Sequence, residues 1–162
     1  MLSITRFVAL SLICGLVLCL VHSLVCADDN SLKGTFKGNG KEGTLKFVSA
    51  RKKKEEGKDY TVLVFSEKDH SKEKQPDTRA LFGHLGDALI ITLNKEGKVV
   101  GCFVFHSAHK MPGFNSLGEI NVSDFKSKDG KVSGKLSTGG EVKAFGETWQ
   151  VDLTFNSAVA DK

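Results

Sequence analysis

The chain is expected to be all-β: a single-domain antiparallel β-sandwich or small β-barrel of about 8–9 strands, following an N-terminal signal peptide. Three observations predict this. Turn signals built on Gly, Asn and Asp recur at roughly the spacing of short strands. Between them apolar residues alternate with a period of two, so each segment has one dry and one wet face. No segment offers a convincing amphipathic helix. The one candidate, residues 78–88, carries Gly83 and Gly86, which weaken a helix interior.

The clearest strand is 149–155, where Trp149, Val151, Leu153 and Phe155 alternate with Gln150, Asp152 and Thr154. Further strands are expected at 32–37, 44–50, 60–67, 88–94, 98–106, 119–126, 131–137 and 142–145. Asn94-Lys95-Glu96-Gly97 and Ser127-Lys128-Asp129-Gly130 place glycine where a hairpin turn needs a left-handed residue, and Thr138-Gly139-Gly140-Glu141 suits another tight turn. Gly38-Asn39-Gly40 is expected to separate the first two strands. Residues 51–59 and 68–79 are long and charged, and read as solvated connections.

Ahead of this pattern, residues 1–27 read as a signal peptide. Arg6 supplies the positive start, an apolar run follows from Phe7, and Val25-Cys26-Ala27 is a small-residue cleavage pattern, which places the cut before Asp28. The mature domain is then 28–162, secreted or periplasmic, with no transmembrane segment. Three of the four cysteines lie in the removed segment. Cys102 is left alone, so an intrachain disulfide framework is excluded. Removal takes away one of 23 basic residues and none of the 19 acidic ones, leaving a mildly basic chain. Its lysines are interleaved with acids, as in Arg51-Lys52-Lys53-Lys54-Glu55-Glu56, without aromatic stacking platforms beside them. That composition argues against a nucleic-acid partner.

The densest chemistry lies between Cys102 and Gly113, where a thiol, two imidazoles (His106, His109) and a thioether (Met111) fall within a dozen residues. Sulfur with imidazole is a donor set that selects copper, and zinc accepts it too. The segment resembles the C-terminal copper loop of the cupredoxins, in which Cys, His and Met follow an aromatic-rich strand. The resemblance implies copper ligation by Cys102, His106, His109 and Met111, with His84 as the upstream histidine. A regular strand would hold Cys102 and His106 some 13 Å apart, so a shared ion requires the strand to end or bulge between them. The other assignment of Cys102 is a small buried hydrophobe on a core strand, with no cofactor.

Catalytic signatures are weak. Ser-x-x-Lys recurs from Ser49, Ser71, Ser107 and Ser123, as a lysine-rich chain produces by chance, and no Gly-x-Ser-x-Gly elbow is present. Asp87, Glu119, Asp124, Glu147 and Asp152 lie at or near strands and could pair in space. The leading expectation is therefore a non-catalytic binding module for a protein or small ligand. Its contact surface would be residues 107–118 with the 82–87 turn, through Phe82, His109, Met111, Phe114 and Asn115. A small hydrolase or isomerase is the further alternative; it requires a concave pocket holding a histidine or two carboxylates.

Overall fold

The computed structural model describes residues 30–160. They are mostly β, in a curled, open sheet with one short helix. The strands are β1 (Ser31–Gly38), β2 (Lys41–Gly43), β3 (Phe47–Glu55), β4 (Lys58–Ser66), β5 (Ala88–Asn94), β6 (Val99–Phe105), β7 (Phe114–Asn115), β8 (Asn121–Lys128), β9 (Lys131–Ser137), β10 (Val142–Ala144) and β11 (Glu147–Ala160). Helix α1 (Pro76–Leu81) lies between β4 and β5. The main path of the sheet runs β2-β1-β11-β3-β4-β5-β6-β7, with β9 and β10 also on β11 and β8 on β9.

β11 is the spine. One of its edges pairs antiparallel with all of β1 and then, at Val159 and Ala160, parallel with β3. The other edge takes β10 and then β9. Its alternation turns Trp149, Val151, Leu153 and Phe155 inward, where they meet Phe36, Phe65, Leu89, Ile91, Val104 and Leu136 in one core. Asp152 and Thr154 face outward as their positions in the alternation predict. Burying the four inward side chains is worth roughly 6–12 kcal/mol gross, at about 1.5–3 kcal/mol each.

Three departures from the sequence expectation have local causes. Residues 51–59 are not a loose connection. β3 and β4 continue through them as paired rungs, from Arg51↔Val62 to Glu55↔Lys58, closed by Glu56-Gly57 with φ of 50° and 76°. That ribbon is wet on both faces over its charged half, so it shows no alternation. β2 and β7 are too short for any periodicity to reveal. Finally, residues 76–81 are helical although glycines 83 and 86 argued against a helix there. The helix starts on Pro76 and ends before Gly83, whose φ of 72° fits the left-handed stop position. Gly83 N–H bonds Ala80 O and His84 N–H bonds Arg79 O, which closes the last turn.

The helix matters because it covers a second, smaller apolar layer. Val62, Val64, Ala80, Leu85, Ala88, Ile90 and Phe105 pack together on the face of β4, β5 and β6 that points away from the main core. An ion pair between Arg51 and Asp77 ties α1 to β3. No helix among the described residues is long and apolar enough to cross a membrane.

Candidate functional site

The segment after β6 is held in place by two buried carboxylates. Asp87, just before β5, accepts the Ser107 N–H on one oxygen (2.7 Å) and the Thr44 N–H on the other (3.0 Å). Glu147, at the start of β11, accepts the Lys110 N–H (2.9 Å) and the Asn39 side-chain amide (2.5 Å). Asn39 completes the clamp from the turn between β1 and β2. Its Nδ2 also donates to Ala108 O (3.0 Å), its Oδ1 accepts the Thr148 N–H (2.9 Å), and its own N–H donates to Thr148 O (2.8 Å). The Asn39 amide and the Lys110 and Met111 backbone hydrogen bonds hold the Glu147 carboxyl below its ordinary value, Asn39 foremost. Of the five carboxylates singled out in the sequence, these two are buried; Glu119, Asp124 and Asp152 are exposed.

Two imidazoles fill the space between the clamps. His106 Nδ1 accepts the Ala108 N–H (3.0 Å), so the neutral ring carries its proton on Nε2. His109 donates from Nε2 to Thr148 O (2.9 Å), which leaves Nδ1 as the lone-pair nitrogen. Both remaining nitrogens, His106 Nε2 and His109 Nδ1, are buried without a partner among the described residues. The rings lie 5.2 Å apart, and Phe36 and Phe114 make tilted ring contacts with His106 and His109 respectively. Gly38 and Gly43 make room for them. A Cβ on Gly38 would stand 2.4 Å from His106 Cγ and 2.7 Å from His109 Nε2.

Burial holds His106 below the ordinary histidine value of 6.5, with the Asp87 charge opposing the shift. His70, elsewhere in the fold, is lowered for the same first reason. A depressed histidine pKa means that the folded state prefers the neutral ring. Its stabilising contribution is full above the unfolded value of 6.5 and is lost as pH falls through the lower folded values. Melting temperature is therefore expected to be flat above about pH 7 and to drop on acidification toward about pH 5. Thermal melts across that range check it, and a curve that rises on acidification contradicts it.

The structure brings together only part of the metal set. His106 and His109 are neighbours, but the Cys102 sulfur points into the core at 0% exposure, and burial pushes its thiol up to about 12. His84 is exposed next to Phe82, with ring centroids 6.4 Å apart. Among the described residues no three His, Cys, Asp or Glu side chains converge as metal ligands. The contact set also divides. Phe82 (73% exposed) and Met111 (37%) face solvent, and Asn115 is exposed with its side chain bonded to the Leu117 N–H. Phe114 was expected on the rim, but it is 4% exposed in the main core because β7 pairs with β6 and turns it inward.

Between the 82–87 turn and the 107–112 segment lies a cleft of about 400 Å³, lined by Gly83, Gly86, Phe105, His109, Met111 and Pro112 among others. Sequence reasoning missed Asn39, whose only signal was its place in a Gly-Asn-Gly turn. The cleft sets apolar contacts from Phe105, Met111 and Pro112 among the polar side chains of Glu67, Ser107 and Lys110, over a backbone fixed from below. Compared with known proteins, the chain matches no family model, no curated protein and no solved structure.

Proposed function

We propose that this is an exported β-domain, sandwich-like or barrel-like in architecture, that acts by binding through the cleft between the 82–87 turn and the 107–112 segment. The ligand it suits is a peptide side chain or small molecule with an aromatic or branched aliphatic group. The observation that carries the reading is the bracing of the 107–112 backbone by Asp87, Glu147 and Asn39 beneath exposed Met111, with exposed Phe82 on the neighbouring turn. A spacer has no need of buried carboxylates, whereas a contact surface gains affinity from being ordered before the ligand arrives.

The test is a ¹H–¹⁵N titration of the mature protein with indole, N-acetylphenylalanine amide, acetate and inorganic phosphate as separate probes. Indole and the phenylalanine derivative are expected to shift Gly83, Gly86, Ser107 and Lys110. The Phe82→Ser, Met111→Ser double variant should bind them about tenfold more weakly. Shifts scattered over the surface, or unchanged by the variant, overturn the reading.

A further inference from the structure

The charged stretch between β4 and α1 hides a buried histidine. His70 is 3% exposed and is bridged by two serines: Nδ1 lies 2.6 Å from Ser66 Oγ and Nε2 lies 2.8 Å from Ser49 Oγ. The proton positions follow from counting donors. Ser66 has one hydroxyl proton and spends it on Lys68 O at 2.7 Å. Toward His70 it can only accept, so His70 carries its proton on Nδ1. Nε2 is then a lone pair, and the bond to Ser49 runs from the serine hydroxyl to the imidazole. This is the tautomer and direction in which a general base takes a proton from a serine nucleophile.

Two further features belong to the same place. Val48 and Ala50 point into the main core, so Ser49 and Arg51 share the opposite face of β3. Arg51 Nε is buried with no hydrogen-bond partner among the described residues, while the guanidinium is paired through Nη2 to Asp77. Ser49, His70 and Arg51 also line one cleft of about 550 Å³, with Leu32, Phe47 and Val159 in its walls. Asp77 Oδ1, across the same ion pair, is likewise buried without a partner among the described residues, so this pair leaves a donor and an acceptor unmatched beside the cleft that holds the serine–imidazole pair.

We propose that this cleft is an acyl-transfer site that hydrolyses carboxylic esters of short apolar acids, with Ser49 as nucleophile, His70 as general base and Arg51 as oxyanion donor. Ser49 Oγ bonds to the ester carbonyl carbon as its proton passes to His70 Nε2, and the carbonyl π electrons move onto oxygen beside Arg51 Nε–H. Collapse breaks the bond to the leaving alkoxide, which takes the proton from Nε2. Water then attacks the acyl carbon, gives a proton to Nε2, and displaces Ser49, which takes that proton back. One ester and one water become one acid and one alcohol. Ser66 is a positioning residue that holds the Nδ1–H tautomer. Phe47, which shares the Ser49 face of β3, would receive the acyl chain.

The charged groups that share the cleft with the imidazole are Asp69, Glu73 and Lys74 from its own loop, Lys46 ahead of β3, and Arg51 of β3, which is paired with Asp77 of α1; Asp69 and Glu73 are the ones that act on His70. Burial outweighs the two acids and keeps His70 below 6.5, so the base is neutral at ordinary pH.

The experiment is labelling of the folded mature protein with an alkyl fluorophosphonate, read by intact mass and peptide mapping, alongside p-nitrophenyl butyrate hydrolysis. One adduct is expected, on Ser49, absent in Ser49→Ala and after denaturation. The labelling rate should rise with pH through a midpoint below 6.5 and then level off, and Ser66→Ala should move that midpoint. His70→Gln is expected to slow labelling about 100-fold or more. Should His70→Gln fail to fold, the wild-type pH profile decides in its place. No adduct on Ser49 overturns the proposal, as does a rate indifferent to His70 or a profile without that midpoint.

Discussion

A chain ending at Glu147 is expected to show no cooperative unfolding transition. Removing 148–162 deprives β1 of all eight of its rungs with β11, from Ser31↔Asn156 to Gly38↔Trp149, and leaves it only three with β2. It also takes the partner of β9 and β10 and the parallel contact that carries the sheet across to β3. The four inward side chains alone stand for roughly 6–12 kcal/mol gross. The whole stability of a domain this size is about 5–15 kcal/mol. Circular dichroism melts and size-exclusion chromatography check the outcome; a soluble fragment with a sharp melt contradicts it.

The second large effect is expected from one methyl group. Gly38→Ala leaves the backbone unstrained, because Gly38 is not among the positive-φ residues, but it puts a Cβ 2.4 Å from His106 Cγ. Neither ring can retreat easily. His106 is held by Ala108 N–H and flanked by Phe36, and His109 is held by Thr148 O and flanked by Phe114. A loss of about 1–3 kcal/mol is expected, the range for overpacking a filled site, with its NMR perturbation centred on His106 and His109. Gly40, two residues on, separates this from a backbone effect. Its φ is 72° and a Cβ there would meet nothing within 4 Å. Gly40→Ala should cost only the left-handed strain, about 1–2 kcal/mol, and leave the histidine signals in place. Equal perturbation of the histidines by both substitutions would contradict this account of the site.

What could be read from sequence follows from where side chains alternate. β9 agrees with the predicted range 131–137 because it has a dry and a wet face, and β5 with 88–94 because it is a short, nearly continuous apolar run between turn residues, buried on both faces. The outer half of the β3–β4 ribbon was missed because both its faces are wet, and helix α1 because it is little more than a turn and a half. The site was partly legible. The chemistry of residues 102–113 drew attention to His106 and His109, which do meet. Composition could not say that Cys102 and Phe114 turn inward, since an apolar side chain reads the same in a core as on a rim. Nor could it pick Asp87 and Glu147 from five carboxylates, because their roles depend on backbone N–H groups far away in sequence. Ser49 stood in a Ser-x-x-Lys that the lysine content explains; its partner His70 lies 21 residues away, in a stretch that reads as pure solvent-facing charge.

The central claim is that the segment beyond β6 is a pre-ordered contact surface rather than a spacer. Amide hydrogen exchange of the mature protein, followed by NMR, tests it most directly. The Ser107 and Lys110 amides, bonded to Asp87 and Glu147, should exchange far more slowly than unstructured backbone, and Glu147→Gln should accelerate Lys110 while leaving Ser107 protected. Exchange of both amides at the rate of an open loop would contradict the claim.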